Sequence, residues 1–392
     1  KKKKKKISIL GSTGSIGQSS LDIIDKKKKY FDIILLSSNK NFSLICHQIR
    51  KYKPKYYLIK DFKTFKRVKE KYKKNKIKLL NSFNFTKLNI KSDIVITAIP
   101  GITGLIPTIN IINKTKKILI ANKESIICGW NLIKKKAKES KTEIIPVDSE
   151  HFCILQLIKG HNTEDIDKIF LTASGGPFLN YKIPSLKNIS PKKALAHPKW
   201  KMGKKITIDS STLMNKILEV IEAKKLFNIP LKKINIIIHP NSLVHAIVKY
   251  KNGLTKFVYH DTTMIIPLAN AIFDNKLDIK KFYKQSKKSD VNFLSDLIFK
   301  KPDQKIFPII KILNRVTEYP STPIIINSAN EVLVELFLKK KTSFLSITKI
   351  IMDILKDKNY RKYAIKKPSN FNQIYSVDTW VRKLVYEKLN LK

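Results

Sequence analysis

Two carboxylates one residue apart follow an apolar, strand-like segment near the middle of the chain. Asp148 and Glu150 flank Ser149, directly after Ile144–Val147. In an extended segment, residues two apart share a face, so both carboxylates would enter one pocket at the end of the strand. Oxygen ligands of this kind suit hard divalent cations such as Mg²⁺ and Mn²⁺. A helix cap or a salt bridge is the other common use of an acidic pair, and the sequence leaves that alternative open.

A third carboxylate for such a cation could come from the helix predicted over Leu213–Phe227. Glu219 and Glu222 lie three residues apart in this segment. Their spacing does not choose between them. The sequence therefore indicates a site with oxygen ligands but leaves the third ligand open.

Hydroxyl, amide and ammonium groups close to these acids could hold an anion. Asp209–Thr212 supplies hydroxyls at the predicted start of the helix, and Asn215 and Lys216 follow one turn later. The N-terminus of a helix favours negative charge. Ser174-Gly175-Gly176 offers a second set of backbone N–H groups for an oxyanion. Either segment could instead be only a cap or a turn.

A glycine-rich loop near the start of the chain has the features of a phosphate-binding turn. Gly11, Gly14 and Gly17 are spaced by three, follow the predicted strand Lys6–Leu10 and open a predicted helix. Such glycines let backbone N–H groups approach a pyrophosphate at the N-terminus of the helix. The spacing is GxxGxxG rather than the commoner GxGxxG, and it is not that of a P-loop. The loop indicates dinucleotide binding, with a purely structural glycine turn as the alternative.

The residues after the second predicted strand bear on which dinucleotide would bind. This strand, Asp32–Leu36, is followed by Ser37-Ser38-Asn39-Lys40-Asn41 and carries no acid at its end. An NAD site uses an acid there to bind the ribose 2′-hydroxyl, whereas hydroxyls and a lysine suit a 2′-phosphate. NADP(H) is therefore favoured, and a solvated basic loop is the alternative.

Histidines occur in two kinds of setting. The segment His197–Gly203 combines a histidine, a tryptophan and a terminal glycine, which suits a mobile flap over a substrate. A partly buried anchor loop is the other interpretation. His239 and His245 lie on apolar strands, and we expect them to be core histidines with satisfied hydrogen bonds. No Ser-His-Asp spacing is recognisable.

Composition limits the class of protein. The chain has 392 residues, with 79 Lys and Arg against 30 Asp and Glu, for a formal net charge of +49. The lysines are spread along the whole chain and arginine is scarce, so we expect lysine at tolerant surface positions and no specific nucleic-acid partner.

Cys46, Cys128 and Cys153 form no CxxC pair, which argues against a disulfide framework or a cysteine zinc site and favours a cytoplasmic location. No apolar run reaches the roughly 18 residues of a membrane helix, so no membrane association is expected.

The elements that must position these groups alternate between strand and helix, which indicates an α/β protein. Over residues 1–147 the alternation predicts a Rossmann-like, doubly wound parallel sheet. Its predicted later strands are Tyr56–Ile59, Ile94–Ala98 and Lys117–Ile120. A central α/β catalytic domain is expected over 148–273, with strands at Lys168–Thr172, Ile206–Ile208, Ile234–Ile238 and Ser242–Val248. A linker over 274–305 and a C-terminal α-helical domain over 306–392 follow.

Taken in order, these segments resemble the 1-deoxy-D-xylulose-5-phosphate reductoisomerase family over essentially the full length. The resemblance rests on GSTGSIG at 11–17, ANKES at 121–125, PVDSEH at 146–151, LTASGGPF at 171–178, and the segments 197–203, 209–219 and HPNS at 239–242. It implies an enzyme that makes 2-C-methyl-D-erythritol 4-phosphate in the non-mevalonate isoprenoid pathway. The implied cofactors are NADPH and a divalent metal (Mg²⁺, Mn²⁺ or Co²⁺). The implied partners are a small phosphorylated sugar and a second copy of the chain.

The resemblance also implies a role for individual residues. The metal ligands would be Asp148, Glu150 and Glu219, which selects Glu219 over Glu222. The substrate phosphate would be bound by Ser174, Ser210, Asn215 and Lys216. The reacting end would be contacted by Lys123 and Ser149 beside the catalytic acids, and the flap would be formed by His197, Trp200 and Met202. NADPH would be bound by Thr13, Gly14, Ser15, Ile16, Asn39, Lys40, Asn41, Asn122, Glu124 and Gly203.

Two other classes of protein fit less of the sequence. A two-domain NADP-dependent oxidoreductase of the aspartate-semialdehyde or homoserine dehydrogenase type lacks the combined DSE and SxxxxNKxxE pattern found here. A basic nucleic-acid-binding module is supported only by the net charge, without a recognition motif.

Overall fold

The computed structural model of the protein describes residues 4–86, 88–200, 202–283 and 297–391. The chain divides into two compact units. The first consists of the described parts of Lys1–Ser125, Asn131–Asp148 and Met264–Lys284. The second consists of the described parts of Ile126–Trp130, Ser149–Thr263 and Gln285–Lys392.

Strands and helices alternate through most of the chain, and helices alone make up its last part. In chain order the strands are β1 (Lys5–Leu10), β2 (Phe31–Ser38), β3 (Tyr56–Ile59), β4 (Lys78–Leu80), β5 (Ser92–Thr97), β6 (Thr115–Ile120), β7 (Glu143–Pro146), β8 (Ile166–Ala173), β9 (Ile234–Ile238), β10 (Val244–Tyr250) and β11 (Thr255–Tyr259). The helices are α1 (Ser15–Asp25), α2 (Phe42–Tyr52), α3 (Phe62–Lys71), α4 (Leu105–Ile112), α5 (Lys123–Ser140), α6 (Ser149–Ile158), α7 (Pro191–Ala194), α8 (Lys204–Ser211), α9 (Met214–Phe227), α10 (Ile265–Phe273), α11 (Thr322–Leu338), α12 (Phe344–Ile354), α13 (Tyr360–Ala364) and α14 (Phe371–Lys388).

The first unit is built on a parallel sheet with the strand order β4-β3-β2-β1-β5-β6-β7. Each neighbouring pair of these strands is parallel. Their carboxyl ends therefore lie along one edge, and the strand order reverses between β1 and β5, where open α/β sheets bind ligands. The predicted doubly wound parallel sheet is confirmed.

Two glycines at the junction of β1 and α1 lie where a side chain would not fit. Gly11 has a φ of +87°, and a Cβ there would lie 2.6 Å from the carbonyl oxygen of Ala98. A Cβ on Gly17, in the first turn of α1, would lie 2.3 Å from the carbonyl oxygen of Gly11. Without these side chains, α1 packs tightly against the end of β1. This packing is the one that presents a helix N-terminus to a pyrophosphate.

The second unit contains a four-stranded sheet of order β11-β10-β8-β9. Strands β8 and β9 are parallel, and the other two pairs are antiparallel. Helix α6 packs on β10, and α9 packs on β8 and β9. The C-terminal helices α11, α12 and α14 pack on one another, and α11 also contacts α8. The predicted C-terminal helical region is confirmed.

The strand predicted at Ile206–Ile208 is wrong, because these residues belong to α8. Their β-branched side chains favour a strand when the segment is considered alone. In the fold, Lys205 and Asp209 form an ion pair of 2.7 Å across one helical turn, and the side chain of Ile208 is fully buried. Tertiary packing and this pair outweigh the local propensity.

The domain boundaries expected from the sequence stay predictions. The division into units assigns α10 to the first unit, whereas the sequence placed residues 148–273 in one catalytic domain. The central part of the expected linker, residues 284–296, lies outside the described residues.

Replacing Gly17 by Ala tests the packing of α1 on β1. The new methyl group would collide with the backbone of Gly11 and Ser12, so we expect Gly17→Ala to lower the free energy of unfolding by about 1 to 3 kcal/mol. Gly14→Ala is the matched control, since its Cβ would meet the nearest atom at 3.4 Å. Thermal unfolding measures both variants. Equal stability of Gly17→Ala and Gly14→Ala would contradict the packing described here.

Candidate active site

The predicted dinucleotide loop is held from behind by buried polar contacts. The backbone N–H of Gly11 donates to Ser37 Oγ at 3.0 Å, and Ser12 Oγ donates to Gln48 Oε1 at 2.7 Å. Gln48 in turn donates through Nε2 to the carbonyl oxygen of Ser12 at 2.9 Å. Gly14, which precedes α1, has no side-chain cap. The predicted cofactor contacts in this loop, all partly or fully exposed, are Thr13, Gly14, Ser15 and Ile16.

The other predicted cofactor residues of the first unit follow the carboxyl ends of β2 and β6. Asn39, Lys40 and Asn41 are exposed directly after β2, and Asn41 caps α2 by accepting a hydrogen bond from the Leu44 N–H at 3.1 Å. Because β1, β2 and β6 are parallel, this loop lies at the same sheet edge as the glycine loop.

Asn122 is a buried anchor at the start of α5. Its Oδ1 accepts from the Ser125 N–H at 2.6 Å, and its Nδ2 donates to the carbonyl oxygens of Gly101, at 3.0 Å, and of Ile99. These bonds tie α5 to the loop after β5. Glu124 beside it is also buried. Asn122 is thus held in a fixed position at the carboxyl edge of the sheet. This position is consistent with a contact to a dinucleotide, and the role stays a prediction.

Buried Lys123 and half-buried Asp148 form an ion pair at the same edge of the sheet. Lys123 begins α5 and is 6% exposed, and its Nζ lies 2.8 Å from Asp148 Oδ2. Asp148 follows β7 after one intervening residue and is joined by one peptide bond to Ser149, the first residue of α6. The position of Asp148 beside Glu150 is therefore set by the chain itself.

The extended conformation expected for Asp148–Glu150 is wrong, because Ser149 and Glu150 lie in the first turn of α6. A carboxylate there is favoured by the partial positive charge of the helix N-terminus. The expected convergence of the acids is nevertheless present. One carboxylate oxygen from each of Asp148, Glu150 and Glu219 lies within 4.8 Å of the other two.

Two polar side chains of α9 bind the acids of this cluster. Lys216 Nζ lies 2.6 Å from Glu219 Oε2 and also contacts Glu150 Oε1. Asn215 Nδ2 donates to Glu219 Oε1. The ammonium group of Lys216 therefore offsets the negative charge of two buried or half-buried carboxylates. The groups expected to bind phosphate are thus in direct contact with the groups expected to bind metal.

Glu222, the alternative third ligand, faces His151 instead. His151 Nδ1 lies 3.3 Å from Glu222 Oε2, and His151 Nε2 lies 2.9 Å from the carbonyl oxygen of Glu219. Since a carbonyl oxygen only accepts, Nε2 carries a proton. His151 and Glu222 are 0% and 1% exposed, and they connect α6 to α9. A second possible ligand group of Asp148, His151 and Glu222 also spans 4.8 Å, so geometry alone leaves both sets open.

The turn after β8 places Ser174 beside the first residue of the predicted flap. Ser174 Oγ accepts from the Gly176 N–H at 3.0 Å and lies 3.0 Å from His197 Nε2. His197 Nδ1 accepts from the N–H groups of Lys199, at 3.1 Å, and Trp200, at 2.9 Å. The imidazole is therefore neutral, with its proton on Nε2. Burial, together with the positive charge of Lys216, lowers the pKa of His197 to about 4.

Ser210 lies in the last turn of α8, so the helix start predicted at Asp209–Thr212 is wrong. The chain turns at Leu213, whose φ of 64° is unusual for a buried leucine, and α9 begins at the next residue. The turn joins the end of α8, which carries Ser210, to the first turn of α9, which carries Asn215 and Lys216. A strained backbone of this kind persists only where its surroundings hold it.

His239 and His245 lie in the core of the second unit, as expected, and each has one ring nitrogen within hydrogen-bond distance of a backbone carbonyl oxygen. Both are buried, His239 Nδ1 lies 2.9 Å from the Ile298 carbonyl oxygen, and His245 Nε2 lies 3.1 Å from that of His260. The rings of His245 and His260 stack at 3.7 Å, and Trp200 approaches His245 edge-on at 5.8 Å. Burial holds the pKa of His245 well below its usual range.

Met202 and Gly203 lie on the same loop as Trp200, and Lys201 is outside the described residues.

Cys46, Cys128 and Cys153 are buried and are not joined by disulfide bonds. In the part of the chain that the structure describes, no helix is both long and apolar enough to cross a membrane.

Comparison with known proteins gives consistent matches along the chain. Residues 7–129 match the family described as 1-deoxy-D-xylulose 5-phosphate reductoisomerase, and residues 144–227 and 261–384 match two C-terminal domains of that enzyme. A protein of this description from Pelagibacter ubique is 46% identical over 382 residues, covering 96% of this chain and 97% of that protein. One from Clostridium perfringens is 39% identical over 393 residues, covering 98% and 100%.

Solved structures agree with these matches. The 1-deoxy-D-xylulose 5-phosphate reductoisomerase from Zymomonas mobilis in complex with NADPH has a TM-score of 0.88 at 30% identity and covers 99% of both chains. A DOX-P reductoisomerase in complex with NADPH, fosmidomycin and magnesium has a TM-score of 0.88 at 31% identity and covers 98% of both chains.

Fold and site together define an NADP-dependent oxidoreductase. The chain belongs to the 1-deoxy-D-xylulose 5-phosphate reductoisomerase family. The resemblance stated from the sequence and the predicted α/β fold class are confirmed. The roles of individual site residues stay predictions.

The ionisation of His197 tests the geometry around Ser174. We expect its imidazole to titrate near pH 4, against an ordinary value of about 6.5, in NMR spectra of histidine-labelled protein. Lys216→Ala should raise this pKa, because the ammonium charge helps to lower it.

The same shift predicts a pH dependence of stability. The unfolded chain takes up this proton first, so the stability that neutral His197 contributes is complete above about pH 6.5 and is lost as the pH falls towards 4. A His197 titration near 6.5 would contradict the buried, neutral imidazole.

Proposed function

We propose that this chain rearranges and reduces 1-deoxy-D-xylulose 5-phosphate to 2-C-methyl-D-erythritol 4-phosphate at the acid cluster, with NADPH and a divalent cation as cofactors. The observation that carries the proposal is the convergence of Asp148, Glu150 and Glu219 within 4.8 Å. Lys123 pairs with the first acid, and Lys216 pairs with the other two.

The donor set fits a hard divalent cation. Carboxylate oxygens are the ligands that Mg²⁺ and Mn²⁺ prefer. Glu150 and Glu219 supply them from two helices, and Asp148 supplies one from the short segment between β7 and α6. When bound, such an ion acts as a Lewis acid and as a template for the oxygens of the substrate. Glu222 is engaged with His151, which supports Glu219 as the third ligand.

Ser174, Ser210, Asn215 and Lys216 would bind the phosphate of the substrate. Their hydroxyl, amide and ammonium groups are donors, and the N-terminal turn of α9 carries two of them. Lys216 also contacts Glu150 and Glu219, so its charge is shared between the acids and the phosphate. Binding energy from the phosphate can then be used to close the flap of His197, Trp200 and Met202 and to exclude water.

Lys123 and Ser149 would contact the reacting end of the substrate. Lys123 is buried with its ammonium group against Asp148, where it can stabilise an oxyanion. Ser149 Oγ donates to Glu150 Oε2, which orients that carboxylate.

NADPH fits the sheet edge that carries the glycine loop, Asn39–Asn41 and Asn122–Glu124, and it supplies the hydride. The close packing at Gly11 and Gly17, where a Cβ would meet backbone atoms at 2.6 and 2.3 Å, supports a cradle for its pyrophosphate. Gly203 of the flap loop completes the proposed set.

We also propose a homodimer in the cytoplasm. Strand β11 is the outer strand of its sheet and exposes Phe257 at 44%, beside Leu254 at 57%. An edge strand with exposed apolar side chains favours pairing with another chain. The three buried cysteines form no disulfide bond, which suits a reducing compartment.

A spectrophotometric assay tests the function directly. NADPH absorbance should fall on addition of 1-deoxy-D-xylulose 5-phosphate only when Mg²⁺, Mn²⁺ or Co²⁺ is present. Undiminished turnover in excess chelator would overturn the metal assignment, and no NADPH consumption under any of these conditions would overturn the function.

Lys216→Ala tests the phosphate contact. Loss of the charge-assisted bond should raise KM for the substrate by at least about tenfold. Lys192→Ala, at an exposed position of α7, is the control and should leave KM unchanged. A KM for Lys216→Ala equal to that of the control would reject the contact.

A further inference from the structure

A carboxylate lies directly beside the proposed phosphate subsite. Asp209 precedes Ser210 in the last turn of α8, and its side chain is 1% exposed. A carboxylate near a phosphate dianion repels it, and the repulsion is stronger inside a protein than in water because the effective dielectric constant is lower. Neutralising this carboxylate and holding it away from Ser210 therefore favours a phosphate there.

Two side chains engage the carboxylate of Asp209. Asn330 Nδ2, on α11, donates to Asp209 Oδ1 at 2.8 Å. Lys205 Nζ, one turn earlier on α8, lies 2.7 Å from Asp209 Oδ2. Both oxygens are therefore occupied, one by an ammonium group and one by an amide of the C-terminal helices.

The hydrogen bond to Asp209 is the contact that the side chain of Asn330 makes among the described residues. Its side chain is fully buried, and among the described residues no donor reaches its Oδ1. Burying an amide that leaves one polar atom unpaired costs stability. The bond to Asp209 is the contact that offsets this cost.

Ser210 itself is confined by backbone packing. A Cβ on Gly176 would lie 3.0 Å from the carbonyl oxygen of Ser210, so the turn that carries Ser174 packs directly on Ser210. On the other side the chain turns at Leu213, with a φ of 64°. Backbone contacts on both sides therefore restrict the position of Ser210.

We propose that Asn330 is a positioning residue for the phosphate subsite. It anchors Asp209 among the C-terminal helices, so that the hydroxyl of Ser210 faces the phosphate and the carboxylate does not. The proposal rests on the proposed function, because it takes the substrate phosphate to be the group bound at Ser210. It gives α11 a part in substrate affinity, although the sequence placed no site residue there.

The test combines Asn330→Ala, Asp209→Asn and the double variant. Asn330→Ala should raise KM for the substrate and Ki for inorganic phosphate as a competitor by about tenfold each, since the freed carboxylate can turn towards the anion. Its kcat should change by less than about threefold. Adding Asp209→Asn removes the charge and should bring both constants back to within about threefold of the wild type.

Asn327→Ala is the matched control. Asn327 is equally buried on the same helix but donates to Glu331, at 3.0 Å, rather than to Asp209. We expect it to lower the melting temperature without raising KM or Ki. Asn330→Ser keeps a smaller polar group and replaces Asn330→Ala if the latter does not fold.

Three results would overturn the proposal. The first is an Asn330→Ala variant with unchanged KM and Ki. The second is a loss confined to kcat, and the third is a double variant as impaired as the single one, which would mean a purely structural role. Failure of inorganic phosphate to compete in the wild type would instead reject the phosphate subsite itself, so the two failures are distinguishable.

Discussion

Buried charge is the constraint on which the rest of this structure depends. Glu219 and Lys216 are 1% and 5% exposed, and Glu150 contacts the same ammonium group. A single buried carboxylate without a partner costs several kcal/mol, so these groups are tolerated only together and in fixed positions. The fold must therefore bring the start of α6 and the middle of α9 to one place and hold them there. The same arrangement places carboxylate oxygens beside an ammonium group, as the proposed cation and phosphate sites require.

The backbone meets this requirement with few elements. Helix α6 begins one residue after Asp148, so Asp148 and Glu150 are linked by the chain itself. Along α9, Asn215, Lys216 and Glu219 all contribute to the cluster, and Glu222 joins His151 to the same helix. Buried polar pairs thus connect α6 to α9. Through these pairs α9 can serve both the acids and the proposed phosphate subsite.

The sequence predicted what is local and missed what is formed by distant residues. The parallel sheet and the glycine loop are readable because apolar periodicity and glycine spacing are local signals. The strand expected at Ile206–Ile208 was wrong because packing and an ion pair override β-branched propensity there. Spacing could not choose between Glu219 and Glu222, because the contact that distinguishes them, His151 Nδ1 against Glu222 Oε2, joins residues far apart in the sequence. The bond between Asp209 and Asn330 joins residues 121 apart, and no pattern in the sequence signals it.

Counting bound Mn²⁺ by electron paramagnetic resonance tests the central claim most directly. If Asp148, Glu150 and Glu219 coordinate one ion, the wild type should bind a single Mn²⁺ per chain. The Glu219→Gln variant should not bind Mn²⁺ at concentrations that saturate the wild type. Glu222→Gln removes only a neighbour of His151 and should weaken binding by about tenfold at most. Full Mn²⁺ binding by Glu219→Gln, or equal loss in Glu222→Gln, would contradict the account.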